Sequence, residues 1–157
     1  SSYYLSYVSN LCLPYNKLKN NFLAISIKER LKQFEETGKT TLQTSIINEI
    51  FESIDKKSSI PQEGIIKTNS NLNSQIFMEI MATIGLNSAQ YESSYNLLDE
   101  VLLNMRNKIA HGERIESLSL DEKRYNEMHE KILFLMNVFA TQVSNAAATK
   151  EYLINKN

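Results

Sequence analysis

The chain has 157 residues, of which 42% are apolar, four are Gly and two are Pro. That length and composition fit one folded domain with its own core and exclude a disordered chain, while the scarcity of turn residues argues against an all-β fold and for helices. Seventeen basic against eighteen acidic residues leave a net charge of −1, so bulk charge does not mark a nucleic-acid binder and only a local patch can steer RNA.

Tyr4, Leu5, Val8, Leu11 and Cys12 recur at helical spacing, so the sequence opens inside a helix that fades near Pro14. It opens on Ser rather than Met, and the natural start is expected upstream. Cys12 is the only cysteine, so no intrachain disulfide and no thiolate metal site can form. Between Leu11 and Leu13 it reads as a buried small hydrophobe, and it fits a reducing cytoplasm.

A second helix is expected from Asn16 to Glu36, broken at Gly38. It carries Lys17, Lys19, Lys28, Arg30 and Lys32, which read as a patch for RNA or as an ordinary solvated face. The third runs from Thr40 to Lys57 with a stripe of Leu42, Ile46, Ile47, Ile50, Phe51 and Ile54. Ser58 to Ser74 is the longest loop, where Ile65 and Ile66 form a short extended piece or tuck onto the core.

The fourth helix spans Asn73 to Ile84 and stops at Gly85. The fifth spans Gln90 to Ala110, with Leu98, Val101, Leu102, Met105 and Ile109 on one face and Gly112 as the residue that ends it. The last starts near Ser119, where Glu122 completes a capping box, and continues through Met128, Ile132, Leu135, Phe139 and Val143 to the end of the alanines. At ~30 residues it is long for a globular helix. No apolar run approaches a membrane span and no signal peptide is visible. The expected architecture is a single all-α domain over residues 1–157, a bundle of about five to six helices.

An arginine followed five positions later by a histidine occurs twice: Arg106 to His111 in RNKIAHGE, and Arg124 to His129 in RYNEMH. On a regular helix such residues point roughly 140° apart. Arg124 and His129 lie mid-helix, so they diverge, and His129 flanks the Met128 stripe in a structural role. At Gly112 the other helix ends, so the backbone can unwind and let the His111 imidazole turn towards Arg106 or a neighbouring subunit. Asn107 is placed to orient it. A cationic histidine near a helix C-terminus is also favourable with the helix dipole and needs no chemistry, and spacing alone leaves that reading open.

RNKIAHGE resembles the signature of the HEPN superfamily: an arginine, often followed by a polar residue, then four to six residues and a histidine, matched here by Arg106, Asn107 and His111. The longer context is similar to the MAE-type HEPN-like branch, with NLNSQIFMEIMATIGL before the motif and Leu135–Met136, Phe139 and Asn145–Ala146–Ala147 after it. This similarity is close over Leu72 to Tyr152 and loose before that. It implies a HEPN-like bundle with a long C-terminal helix. It also implies a metal-independent, cofactor-free endoribonuclease in which Arg106, Asn107 and His111 act at a site shared by two copies of the chain.

Histidine suits the proton transfers of RNA cleavage because its pKa lies near neutrality, and arginine suits the phosphate because its charged fork can bind two oxygens. Glu113 can tune His111 or be a surface acid; Lys108 and Arg114 can add phosphate contacts, offset by Glu113 and Glu116. The partners implied are RNA, a second copy with the motif at the interface, and a regulatory or antitoxin protein in a defence or toxin–antitoxin setting.

Two features depart from relatives. Toxins of this superfamily that are silenced by a nucleotidyltransferase carry a tyrosine two positions after the histidine, where this chain has Glu113. The MAE-type "HWEGF" stretch does not occur here: either it lies upstream of Ser1, in which case a helix of the domain and a residue of the site lie there with it, or it is absent. With two histidines and no Gly-rich phosphate loop, metal enzymes and nucleotide-binding folds are poor alternatives. The serious rival is an inactive HEPN-like dimerisation or RNA-binding scaffold.

Overall fold

The computed structural model describes residues 1–66, 72–99, 110 and 122–154, with the backbone alone at 122 and 124. Every regular element among these residues is helical. They are α1 (Ser2–Asn10), α2 (Asn20–Ser26), α3 (Lys28–Glu36), α4 (Thr40–Ser53), α5 (Ser74–Ile84) and α6 (Glu122–Ala148), with 3₁₀ turns at Tyr15–Lys17 and Ala89–Ser94. The all-α architecture is as expected, and so is the long C-terminal helix, which ends at the last of the alanines. The described residues divide into two compact units.

The first unit takes in residues 1–66, 82–86 and the chain from Ala146 on. Its core is built from Leu5 and Val8 of α1, Leu18, Phe22 of α2, Ile46 of α4, Ile84 and Tyr152. The expected second helix is divided. Residues 18 and 19 are extended, because their surroundings offer better partners than a helix would. The Lys19 N–H donates to the Tyr152 carbonyl and the Ile154 N–H to the Lys17 carbonyl, both at 2.9 Å. On the other side the Asn16 N–H donates to the Ile54 carbonyl (2.8 Å) and the Ser58 N–H to the Leu13 carbonyl (2.8 Å). The segment from Leu13 to Lys19 is thus stitched to two distant stretches. The same bonds explain why α4 stops at Ser53 rather than at Lys57.

A second break separates α2 from α3 at Ile27, with φ −109° and ψ 20°. Just before it the Ser26 hydroxyl donates to the Phe22 carbonyl at 2.7 Å, a back-bond that bends helices. Helices α3 and α4 pack together, with Arg30 Nε 3.0 Å from Glu49 Oε2 on the outside. Of the α4 stripe only Ile46 is fully buried; Ile47 is 41% and Phe51 70% exposed. Cys12 corrects another expectation. It is exposed, with φ +48°, because α1 ends at Asn10 and the next residues turn the chain back towards Pro14. Ile65 and Ile66 are half-buried and form no strand.

Gly85 ends α5 as the sequence requires. Its φ is +71°, and a Cβ there would lie 2.7 Å from Asn21 Oδ1. Asn21 is held where it is, because its amide donates to the Thr83 carbonyl at 2.8 Å. Gly85→Ala should therefore cost about 1–2 kcal/mol for the left-handed backbone, and more for displacing Asn21. An unchanged urea midpoint would refute this account.

Tyr4 is buried and its hydroxyl has no hydrogen-bond partner. Burial pushes its ionisation well above the ordinary tyrosine value, and Glu151, Tyr152 and Tyr7 push it further. A phenol whose folded pKa exceeds its unfolded one leaves stability intact below about pH 10 and lowers it as pH rises beyond that. Tyr4→Phe should be neutral or stabilising at pH 7, since it removes an unsatisfied buried hydroxyl. Above pH 10 it should lose stability less steeply than wild type. Equal alkaline slopes in urea titrations would contradict this.

The second unit contains residues 72–81, 87–99 and 122–145 of the described chain. Asn73 caps α5, its side-chain oxygen accepting the Ile76 N–H at 2.8 Å. The fifth helix departs from expectation at its start: Ala89–Ser94 is a 3₁₀ turn, and residues 97–99 form a π-helical turn. Asn87 drives this beginning, because its side-chain oxygen takes the Ala89 N–H at 2.8 Å and sets a local turn. The face of Val101, Leu102, Met105 and Ile109, the Gly112 terminus and the Ser119 cap lie outside the described residues.

Candidate functional site

Arg106, Asn107 and His111, with Glu113, Lys108 and Arg114, lie outside the described residues; Ala110, immediately before His111, is helical and exposed. What is described is the frame from which the motif segment departs and to which it returns. Residues 87–99 lead into it, and α6 follows it.

The frame is fixed by specific polar contacts. The Asp99 carboxylate, seven residues before Arg106, accepts the Ser74 N–H at 2.6 Å and the Ser74 hydroxyl at 2.5 Å. An acid at this place also suits the positive end of α5. Tyr91 is buried and donates its hydroxyl to Gln142 Oε1 of α6 at 2.7 Å. The Gln142 amide in turn donates to the Asn87 carbonyl at 2.9 Å. Around these bonds, Phe77 of α5 meets Tyr91 edge-on at 4.8 Å and Phe139 of α6 at 6.0 Å. Such pairs add about 0.5–1.5 kcal/mol each beyond their burial. Spacing alone revealed neither Gln142 nor Asp99 as an anchor, because their partners are distant in sequence.

The second arginine–histidine pair lies within a helix as expected, but in its first turns rather than mid-helix, since α6 opens at Glu122. Both residues belong to the continuous helix α6, where a five-residue step separates them by roughly 140°. His129 is exposed and stacks on Tyr125, one turn earlier, with ring centroids 6.1 Å apart and planes 13° from parallel. Met128 beside it is half-buried.

Three residues of the basic run in the first half have partners of their own. Lys19 donates to the Gly85 carbonyl at 2.8 Å, Arg30 pairs with Glu49, and Lys32 Nζ lies 3.7 Å from Glu36 Oε1. The solvated-face reading is the one these contacts support for Arg30 and Lys32.

An open cleft of about 390 Å³ lies within the second unit, lined by Ser93, Ser94, Asn96 and Leu97 and by Lys131, Phe134 and Leu135 of α6. Phe134 is 67% exposed. The sequence did carry a signal for it, since Phe134 falls off the stripe of Met128, Ile132, Leu135 and Phe139. Among the described residues no group of three or more His, Cys, Asp or Glu side chains is arranged to hold a metal ion. No described helix is long and apolar enough to cross a membrane.

The family model described as RiboL-PSP-HEPN matches residues 1–145. Neither the curated proteins nor the solved structures include a significant match. The matched span contains the whole of RNKIAHGE, and it also takes in the first half of the chain, where the motif-based similarity was loose. The superfamily is the level at which the motif and the matched family agree, and the chain belongs to the RiboL-PSP-HEPN family of the HEPN superfamily.

Proposed function

We propose that the chain is a metal-independent endoribonuclease. The observation that carries this is the presence of Arg106, Asn107 and His111, in the superfamily's spacing, inside the span matched by a HEPN family. HEPN membership supports a ribonuclease-type activity; the reaction itself follows from what these residue types can do.

One His111 imidazole takes the proton of a ribose 2′-hydroxyl. The 2′-oxygen forms a bond to the adjacent phosphorus while the bond to the 5′-oxygen breaks, and a protonated imidazole supplies the proton to that leaving oxygen. Arg106 binds the non-bridging oxygens and stabilises the charge that grows on them in the transition state. Asn107 orients His111. The products are a 2′,3′-cyclic phosphate and a 5′-hydroxyl. A base and an acid are both needed, and one chain supplies a single motif histidine, so two copies related by a two-fold axis would form the working site. Glu113, Lys108 and Arg114 would border it. A regulatory or antitoxin protein in a defence setting completes the proposal; Glu113, where some silenced relatives have tyrosine, speaks against silencing by nucleotidylation.

The test is cleavage of end-labelled RNA in EDTA by wild type, His111→Ala, Arg106→Ala and His129→Ala. Cleavage by wild type and His129→Ala alone, leaving cyclic phosphate ends, is the expected result. No cleavage by any of them, with the dimer intact, would replace the enzyme by a scaffold.

A further inference from the structure

Resting on that reading, we propose that the cleft between residues 93–97 and α6 is a subsite for one unstacked nucleotide of single-stranded RNA, its base against Phe134 and its phosphate on Lys131. Both segments that border the motif in sequence contribute to this cleft. Its volume of about 390 Å³ lies in the range of small-ligand sites, about 300–1,000 Å³.

The lining has the composition that a nucleotide needs. Phe134 presents a largely exposed ring and stacks on no other aromatic among the described residues. An exposed phenylalanine is an unfavourable surface for water and a sequence-tolerant platform for a base. Lys131 is exposed and forms no ion pair among the described residues. On the helix it stands three residues before Phe134, so ring and ammonium lie on neighbouring turns of the same side. Ser93, Ser94 and Asn96 supply hydroxyl and amide groups that can donate to or accept from base edges and a ribose hydroxyl. Leu97 and Leu135, both half-buried, form the apolar floor.

The charge pattern limits the site to a single nucleotide. Among the described residues Lys131 is the only cation lining the cleft, and Glu127 and Glu130 stand one turn earlier on α6 than Lys131 and Phe134. The described lining therefore holds no long basic track, and one phosphate is what Lys131 can neutralise. Stacking between neighbouring base pairs in a duplex would cover the base face that Phe134 requires, which favours single strands over duplex.

The chain has no tryptophan, so Phe134→Trp creates a sole fluorophore in the cleft. A fluorescein-labelled 2′-O-methyl oligonucleotide, which lacks the attacking hydroxyl, reports binding by anisotropy without cleavage. An unlabelled copy then reports stacking by quenching. Leu133→Trp is the comparison, since residue 133 is exposed but roughly 100° around the helix and does not line the cleft.

Saturable quenching of the Phe134→Trp emission, with little change in Leu133→Trp, is expected. Phe134→Ala should weaken binding about tenfold, with Phe134→Tyr restoring it. Lys131→Ala should lower the log–log salt slope by about 0.7. Binding without quenching at residue 134, or with equal quenching at 133, would overturn the subsite and leave the ribonuclease reading standing. Absence of binding by anisotropy in wild type would overturn both.

Discussion

Replacing His111 by Ala is expected to lower RNA cleavage by about 10²–10⁴-fold, the range that a positioned acid or base contributes. In the proposed two-copy site the substitution removes base and acid together, so the loss should lie towards the upper end. Arg106→Ala is expected to cost about 10²–10³-fold, because it removes charge stabilisation that matters most in the transition state. Its effect should fall on kcat more than on KM. The pH profile of the wild type should be bell-shaped, as one imidazole must be neutral and the other protonated. His129→Ala should retain full activity, because its exposed ring stacks on Tyr125 within α6, outside the HEPN motif. Single-turnover assays on a labelled oligonucleotide, with product ends identified, would decide the matter. Full activity of His111→Ala would remove the motif from the mechanism.

Phe22→Ala should be the most damaging single change to folding in the first unit. Phe22 is 0% exposed, sits within the short helix α2, and has its ring centroid 6.5 Å from that of Tyr4. Truncating a buried phenylalanine typically costs about 3–5 kcal/mol, from lost transfer free energy and the cavity left behind. For a chain of this length that corresponds to roughly 10 °C or more in Tm. Helix α2 has seven residues and no side-chain cap, so it depends on packing for its existence. Phe51→Ala is the matched comparison. Phe51 is 70% exposed and its loss should stay within about 0.5 kcal/mol. Equal midpoint shifts for the two variants in calorimetry would contradict the burial assigned to each.

The sequence reading placed α5 almost to the residue, because both of its ends are local. Asn73 caps the first turn and Gly85 takes the left-handed position at the last. It placed the end of α6 for the same reason. The motif was legible as a pattern, and its family was legible from the motif. The reading failed at Leu18–Lys19, where nothing local breaks the helix, and at the α4 stripe, where periodicity marked Ile46 and Phe51 alike although one is buried and the other faces solvent.

By itself, then, the sequence determined that the chain is helical, where several helices stop, that one of its two arginine–histidine pairs sits in a HEPN motif, and that the other lies within a continuous helix. Each of these rests on interactions spanning a few residues, namely caps, glycine conformations and spacing along one helix. Only the tertiary structure decided that residues 13–19 pair with residues 54–58 and 152–154 instead of continuing into an α-helix, that Asp99 and Gln142 anchor the frame on either side of the motif, and that Phe134 and Lys131 line a cleft with residues 93–97. Backbone donors and side chains choose among partners distant in sequence by which contacts satisfy the most hydrogen bonds and bury the most apolar surface at once. That choice belongs to the folded chain as a whole and leaves no periodic mark on any one segment.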